Sequence, residues 1–128
     1  MSMKKLILSG CCVFVMLASS YVSAGTVDED SMGIMKDRQK SLSSNIALSN
    51  AKGATEDATE ILDMFNDVED FFAKKSNAQD GVDWSKQSKE LTSSIIKAVA
   101  AKDFDTAAKT SISLAQACKT CHAKYHND

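Results

Sequence analysis

The sequence predicts an all-α protein, an antiparallel up-down-up-down four-helix bundle. Three observations lead there. Apolar residues recur at helical spacing in four successive stretches. Proline is absent, so nothing forces those stretches to break. The stretches are joined by short polar connections, which make neighbouring helices antiparallel. With 25% charged and 44% hydrophobic residues and only five glycines in 128, the chain reads as one small domain without turn-rich β architecture.

The N-terminus is set apart from the bundle. Lys4 and Lys5 form a positive n-region, Leu6 to Ala18 an apolar run, and Val22-Ser23-Ala24 a small-residue cleavage site, which is the pattern of a secretory signal peptide over residues 1–24. The apolar run is too short to span a bilayer. Leu8-Ser9-Gly10-Cys11 resembles a lipoprotein cleavage box, but the apolar run continues from Cys12 to Ala18, so cleavage there would leave a hydrophobic N-terminus. The expected product is a single exported domain over residues 25–128, which is 128 less 24, or 104 residues. Its net charge is −4, with 13 cations left of 15 against 17 acids. That balance argues against a nucleic-acid partner and against stable membrane insertion. A chain this small buries only a marginal core.

The first helix is expected over residues 27–49. Asp28-Glu29-Asp30 places carboxylates at the positive end of the macrodipole. Met32, Met35, Leu42 and Ile46 form its apolar stripe, with Gln39 as the polar member. Asn50-Ala51-Lys52-Gly53 reads as a stop, with Gly53 free to turn left-handed. The second helix, residues 55–75, carries Ala58, Ile61, Phe65, Val68 and Phe72 on one face, flanked by Leu62 and Phe71. Ser76 to Gly81 is polar and forms the second connection. Asp83 is expected to cap a third helix over residues 84–101, with Trp84, Leu91, Ile95, Ala98 and Val99 facing inward. Lys102-Asp103 makes a tight turn, and Asp103 caps a fourth helix over residues 104–125.

The fourth helix holds the chemistry. Cys118-Lys119-Thr120-Cys121-His122 matches the C-x-x-C-H attachment site of a c-type haem. Each thiol adds across one porphyrin vinyl group, and the adjacent histidine becomes the proximal iron ligand. At offsets i, i+3 and i+4 the three side chains share one face, which Ala115 and Ser111 continue. The run of small residues from Thr106 to Ala117 leaves room for a flat macrocycle. Once the leader is removed these are the only two cysteines, which leaves three other readings. A zinc site wants four ligands, and the one other histidine, His126, sits a single turn away. A thioredoxin-like pair needs a βαβ context. The bland reading is a vicinal disulfide or two buried thiols. A haem packed inside would supply the apolar volume that a small exported domain lacks.

The attachment motif followed by Tyr125, together with Trp84 opening the third helix, the Ala-rich fourth helix and Arg38-Gln39 in the first, resembles the class II c-type cytochromes, the cytochrome c′ family. The likeness covers essentially the whole mature chain, and the attachment site is its specific part. His126 departs from the family, in which that position is usually a permanently charged base. The resemblance implies haem c with iron, a periplasmic location, and redox partner proteins, and it leaves pairing of two copies through the first two helices open. It also implies a choice at the distal side. Low-spin relatives use a first-helix methionine as sixth ligand, whereas high-spin relatives place an apolar residue over a five-coordinate iron.

A level count across the first and fourth helices lands near residue 36, which makes Met35 the expected distal ligand and Met32, one turn earlier, the reserve. Leu42 lies too deep. Methionine at helical spacing is also ordinary core packing. Arg38, the only arginine, is one turn from Met35 and is expected either to pair with a haem propionate or to lie solvated at the surface. The expected function is a soluble carrier of single electrons, not an enzyme. The alternatives are a five-coordinate cytochrome c′ that binds nitric oxide or another diatomic gas, and a thiol oxidoreductase working through Cys118 and Cys121.

Overall fold

The computed structural model describes residues 27–126, and the leader assigned to residues 1–24 lies outside them. The chain forms α1 (Glu29–Ala47), α2 (Ala51–Ala73), α3 (Gln79–Ala100) and α4 (Phe104–Tyr125), with no strand among the described residues. Consecutive helices pack side by side, α2 against α3 most closely, and α1 against α4 closes the bundle as its least tightly packed seam. The expected four-helix bundle is the observed one.

Sequence signals set most of the helix ends. Asp28 caps α1 by accepting the Ser31 N–H at 2.8 Å, and the Ser31 hydroxyl returns to the Asp28 N–H as a capping box. Each connection holds one left-handed residue that is not glycine: Ser49 (φ 53°), Asn77 (φ 59°) and Lys102 (φ 55°). At Ser49 and Lys102 the following N–H reaches back five residues, Asn50 to the Asn45 carbonyl and Asp103 to the Ala98 carbonyl, both at 2.8 Å. Those bonds close a Schellman motif, which offsets the cost of the left-handed backbone. Asp103 caps α4 as expected, accepting the Thr106 N–H at 3.1 Å.

Two boundaries differ from expectation. α2 begins at Ala51, not 55, because Asn50 acts as its cap and accepts the Gly53 N–H at 3.2 Å. Gly53 is therefore a helical residue needed for close approach, since a Cβ there would lie 2.7 Å from the Asn45 Oδ1. α3 begins at Gln79, not 84, and Asp83 sits inside it, accepting from the Gln79 amide at 3.0 Å. Ala78, Gly81 and Val82 are buried, so the stretch expected to be a polar loop has an apolar side that docks on α2. Trp84 is partly buried and meets Tyr125 edge-on, in keeping with its expected place over one end of the core.

The core is built from Leu42, Ile61, Ile95, Val99 and Leu114, each at most 1% exposed. Burying one such side chain contributes about 1.5–3 kcal/mol. Thr92, fully buried among them, donates its hydroxyl to the Ser88 carbonyl at 2.7 Å. Asp57, 3% exposed, ties α1 to α2 by accepting from the Asn45 amide at 2.8 Å and the Arg38 guanidinium at 3.4 Å.

Candidate functional site

α4 runs unbroken through the attachment motif, so Cys118, Cys121 and His122 share one face as their spacing requires. Both cysteines are free thiols, partly buried, and packed against the hydrophobic core. His122 is exposed at the rim, with its ring 5.3 Å from that of His126 and nearly perpendicular to it. Behind the cysteines lie buried Ser111 and partly buried Ala115.

Environment fixes the protonation of this trio. Burial, reinforced by the neighbouring Cys121, pushes the Cys118 thiol up to about 11. Burial also raises Cys121, with the Asp80 carboxylate adding to it. Both thiols are thus protonated at neutral pH, unlike the exposed, low-pKa thiolates of redox motifs. Burial, then His126 and then Lys36 hold His122 below the usual imidazole range, which keeps the ring neutral with a nitrogen lone pair free.

The hydroxyl oxygens of Ser43 on α1 and Ser111 on α4 lie 3.3 Å apart. That contact sets the register between the two helices. Eleven residues from Ser111 reach His122, and the same step back from Ser43 reaches Met32. The level count therefore moves from residue 36 to residue 32, which brings Met32 abreast of His122 and puts Met35 about 4.5 Å along the axis. Met35 is 6% exposed and Met32 partly buried. Both line a cavity of about 180 Å³ together with Met64 of α2, Asp67 and Ser31. Met64 escaped the sequence reading, although it sits three residues after Ile61 and four before Val68 on the α2 stripe.

Arg38, considered for a propionate, is engaged by α2 in this structure. Its Nη1 lies 3.4 Å from Asp57 and its Nε 2.5 Å from Glu60. The neighbouring Gln39 is different, because its Nε2 is buried without a hydrogen-bond partner among the described residues. By the register above it is level with Ala115, one turn before Cys118. A buried donor without an acceptor is costly.

These residues fit a planar porphyrin. Two thiols and a neutral imidazole present themselves from one face, small side chains line it, the adjoining α1/α4 seam is the loosest in the bundle, and an orphan donor waits for an acceptor such as a carboxylate. A bare metal ion fits less well, since among the described residues no three His, Cys, Asp or Glu side chains are grouped to hold one. No protein-family model, no curated protein and no solved structure matches this chain.

Proposed function

We propose that this chain is an exported, periplasmic monohaem c-type cytochrome that carries single electrons between redox partner proteins. The observation behind this reading is the presentation of Cys118, Cys121 and His122 from one helical face, with both thiols against the core. Cys118 and Cys121 would hold haem c through thioethers, His122 would be the proximal ligand, and Met35 or Met32 the distal one. Held in this way, the group would supply one-electron exchange, and a methionine ligand would raise its potential.

The chain's own residues contribute binding and orientation. The unbroken α4 fixes the spacing of the three attachment groups. The depressed basicity of His122 keeps its lone pair available. The small residues Ser111 and Ala115 admit a flat ring, and the Gln39 amide supplies a donor for a propionate oxygen. The protonated, core-facing thiols speak against a thiol oxidoreductase, which would need a thiolate at the surface.

A second reading is a five-coordinate iron that takes up nitric oxide or another small gas; the cavity lined by Met32, Met35 and Met64 lies between α1 and α2 and has no α4 residue in its wall, so this reading rests on the resemblance. Two measurements decide. The intact mass of the exported product should exceed that of the bare 104-residue polypeptide, 128 less 24, by one porphyrin. A sharp low-spin reduced spectrum supports the carrier, broad high-spin bands the gas binder, and a bare polypeptide mass neither.

A further inference from the structure

One carboxylate joins the first turn of α3 to the last turn of α4. Asp80 accepts the Tyr125 hydroxyl on one oxygen and the Lys124 ammonium on the other. The Gly81 N–H donates to the first oxygen as well, at 2.9 Å. The Tyr125 ring packs 4.5 Å from Phe72 and 6.1 Å from Trp84. Gly81 makes this possible, because a Cβ there would come within 2.5 Å of the Phe72 ring. α2, α3 and α4 therefore meet here, and none of these partners belongs to α1.

The clasp stands one turn from the attachment motif, three residues past His122 and four past Cys121. It acts where α4 is otherwise weakly held, since the last fully buried α4 side chain among the described residues is Leu114. Beyond it the helix rests on partly buried Ala115, Ala117, Cys118 and Cys121. A terminal stretch with so little burial frays unless tied down. The Asp80 charge also reaches the site, where it is felt at Cys121.

Resting on the attachment reading above, we propose that Asp80 is the positioning residue of the site: it pins the last turn of α4 onto α3, thereby fixes the orientation of His122, and places a carboxylate charge, paired with Lys124, on the α3 side of the motif. That charge favours the more positive, oxidised state and so holds the midpoint potential down. α1 supplies none of the clasp's partners.

The test uses the mature holoprotein and three variants. Asp80→Asn keeps the shape and an acceptor oxygen but removes the charge. Tyr125→Phe removes a hydrogen bond and no charge, and Asp80→Glu restores the charge. Hydrogen bonds to a charged group are strong enough that Asp80→Asn should speed amide exchange over residues 118–125 by about tenfold or more, with α2 unchanged. Its midpoint potential should shift positive, Tyr125→Phe should shift it less, and Asp80→Glu should bring it back toward the parent. Unchanged exchange in Asp80→Asn overturns the clasp. Faster exchange with an unmoved potential and an unmoved spectrum overturns the positioning role. The parent's intact mass tests the attachment reading separately; if porphyrin is absent, the positioning role falls with that reading, while exchange still decides the clasp.

Discussion

Ser43 and Ser111 face each other across the α1/α4 seam, hydroxyl to hydroxyl at 3.3 Å. Small residues on both sides allow that approach, and the pair ties the depth of every α1 side chain to a position on the attachment helix. Met32 and Met35 are both within reach of the level of His122, so their roles are open to a direct experiment.

Loss of the distal methionine should convert a low-spin reduced spectrum to a high-spin one; the Ser43–Ser111 register favours Met32, the level count from the sequence alone Met35. If Met35→Ala leaves the spectrum unchanged and Met32→Ala converts it, the distal ligand is Met32. Parallel spectra of the two variants decide, and Met64→Leu is the control from the same cavity.

Cys118→Ala should leave a single thioether, read as an altered pyridine haemochrome, because only Cys121 remains to add to a vinyl group. His122→Ala should abolish a native-like site, and a normal reduced spectrum in that variant would contradict its assignment as proximal ligand.

Leu114 is 1% exposed and is the deepest anchor of α4 next to the motif. Leu114→Ala should cost about 2–5 kcal/mol, measured by urea unfolding of the holoprotein. In a domain of this size that is a large share of the total stability.

Gly81→Ala should destabilise by about 1–3 kcal/mol, since the new methyl would come within 2.5 Å of the Phe72 ring, which is wedged between α3 and Tyr125. A thermal melt of the variant checks this, and an unchanged melting temperature would mean that Phe72 has room to move.

Acid should loosen the same end of the bundle. Lys124, then Tyr125, and to a lesser degree the Gly81 N–H hold Asp80 below the usual carboxylate range, and Cys121 is the other titratable group that feels it. The Thr106 hydroxyl and N–H do the same for Asp103 at the α4 cap. A depressed carboxylate stabilises the fold fully above its unfolded value, near 4, and loses that contribution as pH falls through the folded value. Acid titration followed by circular dichroism should therefore show a loss below about pH 4 that is smaller in Asp80→Asn than in the parent.

The helices were legible because their apolar stripes are long and periodic. Leu42, Ile46, Ile61, Phe65, Val68, Phe72 and Ile95 all lie where the period puts them. The misread boundaries share one cause. Gly53 and Gly81 looked like chain breakers, whereas both are helical residues chosen for the side chain that presses on them, Asn45 in one case and Phe72 in the other. Local sequence carries no trace of such neighbours. That Cys118, Cys121 and His122 share one helical face was legible because their spacing is short-range. Asp80 was not, because its partners Lys124 and Tyr125 lie 44 and 45 residues away. Met64 could have been found by extending the α2 stripe with its three- and four-residue steps.

The up-down-up-down path brings the start of α1 and the end of α4 to the same end of the molecule, beside His122. A tag attached directly before α1 or after α4 would therefore emerge at the end that carries the exposed His122 imidazole. A tether grafted at the Lys102 turn, where α4 begins at the opposite end, would lie away from that imidazole.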